Sequence, residues 1–177
     1  MDFKSVFHVI GNWGPSFLGV ITLFLLWQKS TLFFYYIIGY ILNCIVNIVL
    51  KGLIQQARPS DDGKLLKIAL KNGKKSIFRD GIPYDIFGMP SGHAQCCFYT
   101  TFYIWFALKN MYLFLAFFIF SLIISFQRVF FNYHSILQII VGSIVGVLLA
   151  YLFYYAATKK IIGKLIPRIE DNGPLHN

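Results

Sequence analysis

The sequence predicts an all-α fold, a polytopic membrane bundle of about five transmembrane helices, and three observations favour this class. Hydrophobic residues fill 57% of the 177 positions and aromatic residues 19%, whereas charged residues fill only 13%. The mean hydropathy of +0.63 is higher than an ordinary soluble globular chain shows. Several apolar runs also approach or reach the roughly 20 residues that a helix needs to cross a bilayer. The length favours a single membrane-embedded domain over residues 1–177.

Three predicted spans are continuous apolar runs: Leu32–Leu53, Met111–Phe131 and Ile136–Ala157. The first apolar run, Pro15–Trp27, is too short alone, so its helix must begin near Val6 to cross the bilayer. The third span, His93–Leu108, is also short, and we expect its first residue to lie in a recess below the membrane surface. Because the N-terminus lacks the basic start and cleavage site of a signal peptide, we expect the first run to be retained.

Two polar segments separate or follow the spans, at about residues 55–88 and about 159–177. Within the longer one, Lys64–Lys71 is predicted to form a short amphipathic helix that ends at Asn72-Gly73. A hairpin around Asn72-Gly73 is the alternative. Either structure would make this segment a cover beside the membrane surface.

The basic excess could indicate a nucleic-acid partner, since 16 Lys and Arg stand against 7 Asp and Glu, a net charge of +9. The basic residues lie mostly between apolar runs, however, which is typical of loops that face anionic headgroups. We therefore predict a membrane protein with no nucleic-acid partner. Cys44, Cys96 and Cys97 fall in apolar segments without metal-site spacing, so we expect them to pack in the core.

Polar and small residues recur every three or four positions in four of the predicted helices: Gly39, Asn43, Asn47 and Lys51; His93, Cys97 and Thr101; Ser121, Ser125 and Arg128; and His134, Gln138, Gly142 and Gly146. Residues at these spacings share one face of a helix. Small residues and amides are explained most simply by close helix packing, as in Gly142–Gly146. Packing does not require ionisable groups, which are costly in a membrane and therefore predict a functional site.

The ionisable residues suit phosphate chemistry. Arg128 can offer a planar fork of donors to phosphate oxygens, and His134 can attack phosphorus as a nucleophile. Gln138 lies one helical turn after His134 on the same face. The turn Gly88–His93 opens a helix, whose free N–H groups make a seat for an anion. His8 and His176 lie near the two termini, and neither belongs to a spaced set of polar residues. We therefore interpret both as surface residues.

Three motifs together resemble the signature of the type 2 phosphatidic acid phosphatase superfamily of membrane lipid phosphatases: Lys51 with Arg58-Pro59, Pro90-Ser-Gly-His93, and Arg128 with His134. The resemblance runs from about Leu42 to Gly146, in the order that the family shows. It is specific, because each motif is uncommon and the three are independent.

The resemblance implies a role for each matching residue. It assigns phosphate binding to Lys51, Arg58 and Arg128, with further phosphate contacts from Ser91 and Gly92. It assigns the general acid to His93 and the nucleophile to His134. It implies neither a metal nor another cofactor.

Two positions depart from the general family pattern. Gln127 stands before the arginine of the third motif, where the family usually has serine. Gln138 stands four residues after His134, where most members have an aspartate that holds the nucleophilic imidazole. A neutral amide can accept a hydrogen bond from the ring and select its tautomer, but it supplies no negative charge. Asp85, eight residues before His93, is an alternative partner for a histidine.

A narrower resemblance, to the dolichyl-diphosphatase branch, includes a glutamine at the position of Gln138. It rests on Leu42-Asn43, Val46-Asn47, Leu50-Lys51, Gly88-Met-Pro, Gln95, Tyr133-His134 and the tail Pro167-Arg168-Ile169. The implied function is a lipid phosphatase or diphosphatase that works through a phosphohistidine, with a polyisoprenyl diphosphate as the favoured substrate.

Two alternatives stay open. One is a phosphatase of phosphatidic acid or another lipid monophosphate, and the other is a non-catalytic scaffold that binds anionic lipid. The resemblance also implies a site that faces the lumen of the endoplasmic reticulum or another endomembrane, or the exterior if the cell is prokaryotic. Counting basic residues near the helix ends decides little about this orientation.

Overall fold

The computed structural model describes residues 2–59, 67, 71, 76–79 and 82–161. Its helices are α1 (Phe3–Leu26), α2 (Ser30–Ile54), α3 (Gly92–Leu108), α4 (Met111–Phe130) and α5 (Ile136–Thr158), and its strands are β1 (Ser76–Arg79) and β2 (Ile82–Asp85). The all-α membrane bundle predicted from the sequence is confirmed, with one small hairpin added in the long loop.

Four of the described helices, α1, α2, α4 and α5, are long and apolar enough to cross a membrane. The remaining helix, α3, has 17 residues and is about 26 Å long, which is less than the roughly 30 Å of bilayer hydrocarbon. It contacts all four of the others. Large side chains of α3, such as Tyr99 and Tyr103, are fully buried, whereas outer helices expose apolar residues such as Phe24 and Leu53. The short helix is therefore the core of the bundle.

The most extensive helix contact joins α3 to α5, and two glycines of α5 allow the close approach. A Cβ atom on Gly142 would meet the main-chain carbonyl of Ser91, and one on Gly146 would meet that of Gln95. The main-chain N–H of Ser91 also donates to the carbonyl of Gln138 over 3.0 Å. These glycines, which were predicted to allow close packing, thus also let the turn before α3 lie directly against α5.

The long loop forms a hairpin at a different place from the one considered above. Strand β1 pairs antiparallel with β2, with Ser76 opposite Asp85 and Arg79 opposite Ile82. The pair Asn72-Gly73 and most of the predicted helix Lys64–Lys71 lie outside the described residues, although Lys67 and Lys71 are helical and exposed. The tail from residue 162 onward, including Pro167-Arg168-Ile169, is also outside them.

Candidate active site

The predicted ionisable residues all lie at one end of the bundle. Lys51 and Arg128 are in the last turns of α2 and α4, and His93 is in the first turn of α3. Lys51 and Arg128 are each 7% exposed, Arg58 is 8% exposed and His134 is 2% exposed. The same three cations, Arg58, Lys51 and Arg128, act electrostatically on both histidines. Residues from four chain segments therefore meet in one buried basic site.

Main-chain hydrogen bonds at the end of α4 bring His134 to this site. Asn132 has a φ of 56°, a left-handed conformation that asparagine tolerates. The N–H groups of Tyr133 and His134 then both donate to the carbonyl of Arg128, over 2.9 and 3.2 Å. The five residues between Arg128 and His134 thus form one tight helix end, which holds these two residues close together.

Gln138 serves two purposes, one of which the sequence analysis missed. Its backbone N–H donates to the Ser135 hydroxyl, and its Oε1 accepts from the Ser135 N–H, which completes a capping box at the start of α5. The same Oε1 lies 3.1 Å from Nδ1 of His134. The signal was available in the sequence as Ser-x-x-Gln before an apolar run.

The contacts of Gln138 determine which way its amide points. Its oxygen faces the backbone N–H of Ser135 over 3.2 Å, and its nitrogen donates to the carbonyl of Ala57 over 2.8 Å and to Oε1 of Gln56 over 3.0 Å. A backbone N–H can only donate and a carbonyl can only accept, so the amide cannot be flipped. His134 must therefore donate from Nδ1, which leaves Nε2 with its lone pair.

A second contact agrees with this tautomer. Nη1 of Arg58 lies 3.0 Å from Nε2 of His134, and because a guanidinium has donors only, Nε2 must accept. Arg58 also donates to the carbonyl of Tyr133 over 3.2 Å. Burial, together with the charges of Arg58, Lys51 and Arg128, lowers the pKa of His134 to about 2. The ring is thus neutral, with the lone pair of Nε2 directed into the basic site.

The turn before α3 brings further polar groups to the same place. Ser91 is the N-cap residue of α3, and its side chain is fully buried. The Ser91 hydroxyl has no hydrogen-bond partner among the described residues. Gly92, the first residue of the helix, has the side chain of Asn47 close by. A helix N-terminus with a buried hydroxyl beside three cations is a favourable environment for an anion.

The buried amides behave as packing residues. Nε2 of Gln95 donates to the carbonyl and to Oδ1 of Asn43, over 2.8 and 2.9 Å. Asn47 donates to Oε1 of Gln95 over 2.8 Å and to the carbonyl of Pro90 over 3.3 Å. These bonds join α2 to α3 and to the turn before it, one helical turn from Lys51.

Helix α1 also contributes to the site, which the sequence analysis did not predict. Oδ1 of Asn12 accepts from Nη1 of Arg128 over 2.7 Å, and Asn12 lines the cavity beside His93. The interpretation of His8 as a surface residue is wrong, because its Nε2 lies 2.8 Å from the Tyr133 hydroxyl in a partly buried pair. The only sequence signal was the spacing of four between His8 and Asn12.

Gln127, the first departure from the family pattern, is fully buried. A Cβ atom on Gly11 would overlap its side chain, so α1 accommodates this large residue by placing glycine against it. The side chain of Asp85, the alternative histidine partner, lies outside the described residues. Among the described residues, no group of three or more His, Cys, Asp or Glu could hold a metal ion.

A cavity of about 320 Å³ adjoins His93. Its lining comes from α1, α2 and the start of α3: Asn12, Pro15, Ser16, Cys44, Asn47, Ile48, Gly92, His93 and Cys96. Ile48 is largely exposed on the outer surface of α2. The cavity beside His93 therefore opens toward the side of the bundle.

Comparison with known proteins gives three matches. The family model described as the PAP2 superfamily matches residues 30–162. The dolichyldiphosphatase of Saccharomyces cerevisiae is 33% identical over 128 residues, 66% of this chain and 48% of that protein, so the chain spans about half the length of this relative. The crystal structure of the first transmembrane PAP2 type phosphatidylglycerolphosphate phosphatase from Bacillus subtilis matches with a TM-score of 0.61. That match has 19% identity and covers 88% of this chain and 77% of the other, so it concerns the fold.

Proposed function

Since the chain belongs to the PAP2 superfamily, as its three motifs predict, we propose that it is a membrane enzyme that hydrolyses the phosphate or diphosphate headgroup of a lipid. The observation that carries the proposal is the contact set of His134. A neutral imidazole whose Nε2 is unprotonated, surrounded by cations, is the arrangement that nucleophilic attack on a phosphoryl group requires.

In the proposed site, Lys51, Arg58 and Arg128 bind the terminal phosphoryl group. The burial of their side chains at one end of the bundle supports this role, because cations in a water-poor site stabilise developing negative charge more strongly than they do in water. The Ser91 hydroxyl and the N–H groups at the start of α3, including that of Gly92, add neutral donors. Phosphate binding would use groups that the fold already holds in place.

The proposed reaction proceeds in two steps. Nε2 of His134 attacks phosphorus and forms an N–P bond while the bond to the leaving oxygen breaks. His93, which takes up a proton once the bound phosphate anion offsets the charge of the nearby cations, gives that oxygen a proton. A water molecule then attacks the phosphohistidine, His93 takes its proton, and inorganic phosphate leaves while Nε2 of His134 regains its lone pair. Gln138 keeps the proton of His134 on Nδ1 throughout.

We favour a polyisoprenyl diphosphate as the substrate, since the yeast relative is named a dolichyldiphosphatase and the cavity beside His93 opens on the apolar side of the bundle. A lipid monophosphate such as phosphatidic acid is the second candidate, in line with the name of the Bacillus subtilis neighbour. Metal-independent hydrolysis stays a prediction of the family resemblance.

Purified protein in detergent, given dolichyl diphosphate, phosphatidic acid and free inorganic pyrophosphate in turn, tests the proposal. We expect phosphate release from a lipid substrate, abolished by His134→Ala and retained by His176→Ala, a matched histidine change in the polar tail. Lipid binding without turnover in the unmodified protein would instead support the scaffold.

We also propose that the site faces the lumen or the exterior, as the family does. In sealed vesicles with the cytosolic side outward, a protease specific for lysine should cut the loop at Lys74-Lys75 only after the membrane is permeabilised. Cleavage in intact vesicles would overturn this orientation.

A further inference from the structure

Four side chains form a closed ring of contacts, and one of them is Arg128, a cation proposed to bind phosphate. Nη1 of Arg128 donates to Oδ1 of Asn12 over 2.7 Å, and Nδ2 of Asn12 lies 3.2 Å from Nδ1 of His8. Nε2 of His8 lies 2.8 Å from the Tyr133 hydroxyl, and the Tyr133 ring lies under the guanidinium, with Cζ of Arg128 4.3 Å from its centroid. Two of these residues come from α1 and two from the end of α4 and the turn after it.

The hydrogen-bonding directions in this ring follow from the chemistry of its members. Arg128 can only donate, so the oxygen of Asn12 must face it, and the amide nitrogen must face His8. Because that nitrogen can only donate, Nδ1 of His8 accepts and carries no proton. The neutral ring of His8 therefore donates from Nε2 to the Tyr133 hydroxyl. The donor or acceptor group that each side chain presents thus determines the orientation of the next side chain in the ring.

The ring holds Arg128 from two sides. The bond to Asn12 is charge-assisted, and the aromatic face of Tyr133 adds a cation–π contact. A long, flexible side chain at a helix end would otherwise sample many rotamers, and a ligand would have to select one of them. With these contacts the guanidinium is already directed when phosphate arrives.

We infer that Asn12 and His8 of α1 are positioning residues, which hold Arg128 in its phosphate-binding orientation through this ring. The inference rests on the proposed function, because it gives Arg128 a phosphoryl group to bind. It extends that function beyond the matched family segment, which begins at residue 30 and so contains neither of these residues. The first helix is then part of the site as well as part of the bundle.

Binding of inorganic phosphate to the purified protein, measured by calorimetry, tests the inference without requiring turnover. We expect Asn12→Leu to weaken phosphate binding about tenfold, the change that corresponds to losing one hydrogen bond to a charged group. His8→Leu should weaken it less, about threefold, because the Arg128–Asn12 bond survives. Ser5→Ala, on the exposed part of the same helix, is the matched control and should bind as the unmodified protein does.

The double variant of Asn12 and His8 distinguishes positioning from general damage. If both residues act through one ring, the double change should bind phosphate no more weakly than Asn12→Leu alone. The inference would be overturned if the losses of phosphate affinity in the two single variants multiplied in the double variant. It would also be overturned if Asn12→Leu bound phosphate within twofold of the unmodified protein. Thermal midpoints measured in the same detergent identify a variant that has simply lost its fold. In that case Asn12→Ala replaces Asn12→Leu, and it should weaken phosphate binding to the same extent.

The proposed function fails separately. It fails if the unmodified protein releases no phosphate from any lipid tested, or if His134→Ala is as active as normal. The positioning inference fails if those results are as proposed while the Asn12 variants bind phosphate and turn over normally.

Discussion

Arg58 donates a hydrogen bond to Nε2 of His134 over 3.0 Å, so a phosphate-binding cation covers the nitrogen that is proposed to attack phosphorus. An in-line attack requires that lone pair, and the guanidinium must therefore move onto the phosphate oxygens as the substrate binds. The exchange is favourable, because a guanidinium binds a phosphate dianion more strongly than a neutral ring. Arg58 also keeps His134 neutral before the substrate arrives.

Replacing Arg58 should change the pH dependence of the reaction. Its positive charge disfavours the imidazolium and lowers the pKa of His134, so Arg58→Gln should raise that pKa. The protonated ring cannot attack, and the acid-side loss of kcat/KM should then begin at a higher pH. The measurement is kcat/KM between about pH 2 and 8, a range that reaches the pKa of His134 in the unmodified protein and reports groups of the free enzyme.

Lys67→Gln provides the charge-matched control for Arg58→Gln, because Lys67 is exposed in the long loop. It should leave the acid-side limb unchanged. An Arg58→Gln profile that coincides with that of the unmodified protein, or moves to lower pH, would contradict the role given to Arg58.

His93→Asn should slow lipid phosphate hydrolysis by about 10²–10⁴-fold, the usual contribution of a general acid or base. The physical reason is that an alkoxide or phosphate leaving group departs poorly without a proton. With an aryl phosphate, whose leaving group needs no proton, the formation of the phosphoenzyme should fall much less. Equal losses with both substrates would show that His93 does not act as the general acid.

Gln138→Asp, which restores the residue common in the wider family, should lower kcat in this protein. Aspartate is one methylene shorter and has no N–H groups, so the carbonyl of Ala57 would lose its donor and a carboxylate would approach it. We expect a loss of about tenfold or more, in keeping with the cost of an unpaired buried polar group. Turnover measured at saturating lipid would contradict this if Gln138→Asp proved faster than the natural protein.

We expect Gln56 to contribute to kcat through its side-chain oxygen, which accepts a hydrogen bond. Its Oε1 accepts from Nε2 of Gln138, and this bond helps to hold the amide toward His134. Gln56→Leu should lower kcat by about threefold to tenfold with little change in KM, and Gln56→Glu, which keeps an acceptor, should recover most of the rate. If Gln56→Glu is as slow as Gln56→Leu, the acceptor is not what position 56 supplies.

Gly142→Ala should destabilise the bundle by about 1–3 kcal/mol, the usual effect of overpacking a tight contact. The added methyl group would meet the main chain of Ser91, so α3 and α5 would have to separate. Gly52→Ala is the matched control, because a Cβ atom there has no neighbour within 4 Å. The thermal midpoint in detergent should fall for Gly142→Ala and should stay the same or rise for Gly52→Ala, and equal midpoints would contradict the packing role.

The sequence was most informative where the structure depends on residues that are close together along the chain. The predicted spans Leu32–Leu53 and Ile136–Ala157 lie within helices α2 and α5, and each predicted boundary is within two residues of the observed one. This agreement is expected, because hydropathy and length decide which segments can enter a bilayer. The spacing within each motif also follows from local geometry, as the tight helix end between Arg128 and His134 shows. The hairpin β1–β2 was not located, because its strands have no clear alternation and its pairing depends on the surrounding loop.

The sequence by itself determined the membrane class, the helices and the residue types that can bind and attack a phosphoryl group. Only the tertiary structure decided how these residues are partnered: Gln138 with Gln56, 82 positions apart, Arg128 with Asn12, 116 apart, and His8 with Tyr133, 125 apart. The physical reason is that helical periodicity defines a face but not the depth or rotation at which two faces meet. A hydrogen bond of about 3 Å depends on both, and the close packing of α3 against its neighbours sets them.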